Sequence, residues 1–136
     1  MTDPALVAKK LAVIETALVD LRRLAQPERL ATDLLQRRFV EHTLQIAIQA
    51  TLDVASHIVS DERLGEPRTN RELFAFLAAA GWIDESHRDT LARMAGFRNV
   101  LVHGYDDVDL GIVRDILGSR LADIETFVAA VRRRRA

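Results

Sequence analysis

From Pro27 to about Ser60 no further proline and no glycine interrupts the chain. Within that stretch Leu30, Leu34, Leu44, Ala47, Ile48, Leu52, Ala55 and Val59 recur at helical spacing. The pattern predicts one long second helix, with room for a kink, and a chain built around it must supply partners for its apolar face. Asp3 and Pro4 read as the cap and first turn of a helix before it, with a stripe of Leu6, Leu11, Ile14, Leu18, Leu21 and Leu24. Gly65 and Pro67 mark a loop over Asp61 to Arg68, after which Thr69 and Glu72 form a capping-box pattern for a third helix ending near Gly81. A short turn around Trp82 leads to a fourth helix from about Glu85 to His103, which Gly104 would terminate, and a last one runs from about Asp109 to Val131. No segment shows sustained two-residue alternation. The expected fold class is all-α, an up-and-down bundle of four to five helices.

A length of 136 residues fits one domain over 1–136, with 132–136 expected as a solvated, frayed basic tail that could also contact phosphate. The formal net charge of −1 argues against coating nucleic acid by bulk electrostatics, but not against a local basic cleft. Lys9 and Lys10 are the only lysines, so the cationic surface is arginine, whose planar fork suits phosphate and carboxylate; a high genomic GC content enriches arginine as well. There is no cysteine, which excludes disulfides and thiolate metal sites and is compatible with the cytoplasm. The apolar runs are too short to span a bilayer, and MTDPALVAKK lacks the features of a signal peptide, so neither membrane insertion nor export is expected.

One segment departs from the bundle pattern. In FRNVLVHGYDD, Phe97 to Asp107, the apolar trio Val100, Leu101 and Val102 is enclosed by Arg98 and Asn99 before it and by His103, Gly104 and Tyr105 after it. Each polar group there is costly to bury without a partner. Arg98 and His103 are five positions apart, roughly 140° around a helix, whereas Asn99 and His103 share a face. The negative end of the helix favours imidazolium, which should let His103 take and give protons near physiological pH. Taken singly, these residues also read as an end cap, an ion-paired arginine and a packed tyrosine.

Together, RNVLVHGY resembles the Arg-x4-His-x-Tyr motif of the HepT-like toxins, in the HEPN superfamily of small helical ribonuclease domains. Glu41 to Ser60 (EHTLQIAIQATLDVASHIVS) is similar to that family's long second helix, and ELFAFLAAAGWID and LARMAGFRN to the segments leading into the motif, so the resemblance covers about Leu11 to Phe127. It implies a metal-independent endoribonuclease that acts as the toxin of a type VII-like toxin–antitoxin pair. The implied form is a homodimer whose two motifs face each other, the substrate tRNA or mRNA, and the partner a small MntA-type nucleotidyltransferase antitoxin. Tyr105 would be the residue on which that antitoxin places AMP.

RNA cleavage by its own 2′-hydroxyl needs a base, an acid and a cation at the phosphate, and a two-fold dimer offers two histidines and two arginines for the task. His103 is therefore expected to supply acid/base catalysis and Arg98 to bind the phosphate, with Asn99 auxiliary. Glu41, Gln45, Gln49, Asp53 and His57 recur at every fourth position of the second helix, drifting about 40° per step. They read either as a polar seam or as a ridge of which Asp53 lines the cleft and positions Arg98 or the histidine. His42 and His87 have no motif around them, the scattered histidines do not suggest zinc, and no cofactor is expected. Two other functions fit the same residues: a non-catalytic subunit that helps a nucleotidyltransferase hold nucleotide or substrate, and a dimerising scaffold.

Overall fold

The computed structural model describes residues 3–103 and 109–135, apart from the side chains of Val102 and His103. Among them every regular element is helical, as the all-α reading expected. The first helix, α1 (Pro4–Leu24), begins as predicted: an Asp3 Oδ1 accepts from the Ala5 and Leu6 N–H groups at 3.0 and 3.3 Å, and Pro4 occupies the first turn. Its buried stripe is Val7, Leu11, Ile14, Ala17, Leu18 and Leu21. Val7 replaces the expected Leu6, and Leu24 at the far end is exposed.

The breaker-free stretch does not form helix from its start. Pro27–Arg29 is a 3-10 turn that leaves Leu30 fully buried beneath it, and α2 (Leu34–Asp61) begins only after Asp33. The reason is local: the Asp33 carboxylate accepts from the Gln36 N–H at 3.1 Å, satisfying a donor that an uninterrupted helix would have used internally. Leu34, assigned to the buried stripe, therefore stands in the first exposed turn. The 28 residues of α2 extend about 42 Å and form the spine of the fold.

Thr69 caps α3 (Asn70–Ala79) by accepting from the Glu72 N–H at 3.3 Å. Glu72 returns its carboxylate to the Arg68 N–H at 3.2 Å, so the capping box is displaced by one residue. Gly81, at φ +80°, makes the turn into α4 (Glu85–His103). The expected last helix is divided: α5 (Leu110–Asp115) passes through a π turn at Ile116–Arg120 into α6 (Leu121–Arg135). Ser119 Oγ donates to the Asp115 carbonyl at 2.9 Å within that widened turn.

The helix α2 packs against α1, α3 and α4; α3 also packs on α4, and α6 closes the bundle against α1 and α4. Phe74 of α3 meets Phe127 of α6 edge to face, with centroids 6.2 Å apart, a geometry worth about 0.5–1.5 kcal/mol beyond burial. No helix among the described residues is long and apolar enough to cross a membrane.

The arginines expected as a basic tail at the end of the chain are helical. They stand on the last turns of α6, and three of the four reach other elements: Arg132 pairs with Glu15 of α1, and Arg135 donates to the Pro4 carbonyl at 2.9 Å. Arg134 caps the Gly81 carbonyl at 3.2 Å and lies 4.9 Å over the Trp82 ring. Arginine's length and fork let a cationic run act as a clasp at a negative helix end.

Candidate active site

Near its C-terminal end, α4 turns Phe97 and Leu101 into the core. Arg98 is thereby carried to the seam with α2, half-buried, while Asn99 beside it is exposed. Across the seam stand Gln49 and Asp53, one turn apart on α2. Arg98 Nε donates to Gln49 Oε1 at 2.8 Å. Gln49 Nε2 donates to Asp53 Oδ1 at 2.9 Å, and the other Asp53 oxygen accepts from Lys10 Nζ of α1 at 3.1 Å. Three helices are thus linked by one polar chain that ends on the motif arginine.

The direction of the chain is set by hydrogen-bond chemistry. A carboxylate accepts only, so Gln49 must turn its NH2 toward Asp53 and its oxygen toward Arg98. The Asp53 charge is offset by Lys10 and does not fall on Arg98 directly. Arg98 Nη1 also donates to Asn99 Oδ1 at 3.2 Å. Two of the five guanidinium N–H groups are then used, and among the described residues the other three have no partner. Arg98 borders a cleft of about 410 Å³ whose walls include Gln49, Asp53, Ser56, Arg68 and Asn70. A cation held in this way at the edge of a cleft has the chemistry to receive an anion.

The expected residues are brought together selectively. Arg98, Asn99 and Asp53 meet in one network, and Asp53 reaches Arg98 through Gln49 rather than directly. His103 is the last residue of α4, and its side chain, like Tyr105 and Gly104, lies outside the described residues. The fourfold ridge of α2 separates by position. His57 Nε2 accepts from the Asp3 N–H at 3.3 Å and so secures the start of α1, while Glu41 is buried with Arg37 Nε 3.9 Å from its carboxylate. His42 is exposed, as read, but His87 is half-buried in a crease beside Trp82.

Sequence reasoning did not single out Gln49 as the direct partner of Arg98, nor Lys10 or Arg68. The Gln49–Asp53 spacing carried the first signal, since an amide one turn before a carboxylate is a natural hydrogen-bonded pair. Nothing local marks Lys10, which arrives from another helix.

The similarities to known proteins run along this architecture. The mRNA nuclease HepT of Shewanella oneidensis is 35% identical over 89 residues, 65% of this chain and 67% of that protein. The tRNA nuclease HepT of Aphanizomenon flos-aquae is 36% identical over 74 residues, 54% of this chain and half of that protein. Among solved structures, the tri-AMPylated Shewanella oneidensis HEPN toxin in complex with an MNT antitoxin is 28% identical, with a TM-score of 0.87 over 98% of this chain and 99% of that one. The family model described as ribonuclease HepT-like matches residues 14–131, which include the α2 ridge, the motif and most of α6. The chain belongs to the HepT-like ribonuclease family.

Proposed function

We propose that this chain is the toxin of a toxin–antitoxin pair, an endoribonuclease that cleaves tRNA or mRNA in the cytoplasm without a metal ion. The observation that carries the reading is the motif arginine, held by Gln49, Asp53 and Lys10 at the wall of an open cleft, with three of its N–H donors unpaired among the described residues. The nuclease activities named for the two HepT relatives support it.

In the reaction, His103 of one protomer takes the 2′-hydroxyl proton as the 2′ oxygen bonds to phosphorus. The bond from phosphorus to the 5′ oxygen breaks, and the partner subunit's His103 gives that oxygen a proton. The products are a 2′,3′-cyclic phosphate and a 5′-hydroxyl. Arg98 binds the scissile phosphate and offsets the charge that grows on its non-bridging oxygens. Asn99 steadies one nitrogen of that guanidinium, and Asp53 steadies another by orienting Gln49. The homodimer supplies both histidines to one site, which removes any need for Arg98 and His103 of one helix to share a face. An MntA-type nucleotidyltransferase antitoxin silences the toxin by adding AMP to Tyr105. The AMPylated toxin bound to its antitoxin in the Shewanella structure supports this part of the reading.

The test is RNA cleavage by the purified protein and by Arg98→Ala and His103→Ala. Each substitution should slow cleavage by roughly 100- to 1000-fold with the dimer and its helical content intact. Folded variants that cut at the wild-type rate would overturn the assignment. A wild-type protein that cuts nothing, yet binds a nucleotidyltransferase and alters its activity, would show a non-catalytic subunit instead.

A further inference from the structure

The cleft beside Arg98 continues past it. On its far side the segment 67–70 supplies Arg68 and Asn70, and α2 supplies Ser56. A second hollow of about 530 Å³ adjoins the first at Ser56 and Pro67 and carries Arg63 and Glu66. The charge of the first is arranged in an orderly way. Arg98 and Arg68 border the same space, and the one carboxylate among its described lining residues, Asp53, is paired with Lys10. Glu72, the acid next to Arg68, accepts from that residue's backbone N–H. No carboxylate among the described residues lies within ion-pairing distance of the Arg68 guanidinium, which is exposed.

We propose that this cleft is the subsite for the nucleotide adjoining the scissile phosphodiester of an RNA strand. The Arg68 guanidinium takes the neighbouring phosphate, and Ser56 and Asn70 hydrogen-bond the ribose. The inference rests on the ribonuclease reading and extends it from the reacting phosphate to the strand that carries it. A volume of about 410 Å³ lies within the range of about 300–1,000 Å³ usual for small-ligand sites. Among the described residues the wall has no aromatic side chain on which a base could stack. Recognition here is therefore of backbone and sugar, which positions a strand without reading its sequence.

The experiment uses a short 2′-O-methyl single strand, which has no free nucleophile, with the full-length wild type, Arg68→Ala and Arg68→Lys. Arg68→Ala should weaken binding several-fold for every sequence tried and reduce the steepness of log affinity against log salt by about 0.7, the loss of one phosphate contact. Arg68→Lys should restore most of that slope. On cleavable RNA the defect of Arg68→Ala should fall on KM more than on kcat. If wild type cleaves RNA and Arg68→Ala matches its affinity, salt slope and KM, the subsite is wrong and the ribonuclease reading stands. If wild type neither binds nor cleaves RNA, both are wrong.

Discussion

Arg98 of α4 and Gln49 of α2, 49 positions apart in the chain, meet through a 2.8 Å hydrogen bond from Nε to Oε1. That contact fixes the plane of the guanidinium, because Nε is the one nitrogen whose direction is set by the side-chain stem. Gln49 can hold it only while Asp53 holds Gln49. Gln49→Leu keeps similar bulk and removes both bonds. It should lower kcat/KM about tenfold, less than loss of Arg98 itself, and should cost nothing further in an Arg98→Ala background. Additive losses in that double-mutant cycle would show that Gln49 does not act through Arg98.

Lys10 and Asp53 are each 39% exposed, so their attraction is screened. Lys10→Met should change unfolding free energy by no more than about 1 kcal/mol. Its larger effect should be on cleavage: with Lys10 gone, Asp53 presents an uncompensated negative charge to the cleft and repels phosphate. Urea unfolding and steady-state kinetics on the same preparation separate the two effects. A variant destabilised by several kcal/mol but fully active would reverse this assignment.

The clasp at the end of α6 predicts a stability effect remote from the active site. Arg134→Ala removes the Gly81 carbonyl cap and the contact over Trp82 and should cost about 1–2 kcal/mol, read as a lower urea midpoint at unchanged slope. An unchanged midpoint would return these arginines to the role of solvated tail.

The proposed modification of Tyr105 predicts a mass signature. Co-expression with a neighbouring nucleotidyltransferase should yield protein heavier by one or more AMP units, unable to cleave RNA. Tyr105→Phe should stay unmodified and toxic. AMP that persists on the Tyr105→Phe variant would place the modification elsewhere.

Most of the helices were legible because their signals are local. Asp3 with Pro4, and Thr69 with Glu72, announce helix starts through hydrogen bonds spanning two or three residues. The late start of α2 was missed because an apolar period over Leu30 and Leu34 looks the same whether or not Asp33 intervenes as a cap. The clasp was missed because a run of four arginines carries no mark of what it will touch, and Glu15, Trp82 and Pro4 come from other elements. Arg98 and Asn99 stood out through the motif. Gln49 and Lys10, which complete the network, depend on how three helices pack, and that is tertiary information.

The most direct measurement is the chemistry of the cut ends. A defined oligoribonucleotide, digested in chelator and analysed by mass, should yield a 2′,3′-cyclic phosphate and a 5′-hydroxyl, and a single 2′-deoxy substitution at the cut nucleotide should stop cleavage there. Ends bearing a 5′-phosphate and a 3′-hydroxyl, or cleavage that proceeds past the 2′-deoxy position, would contradict the mechanism built on Arg98 and His103.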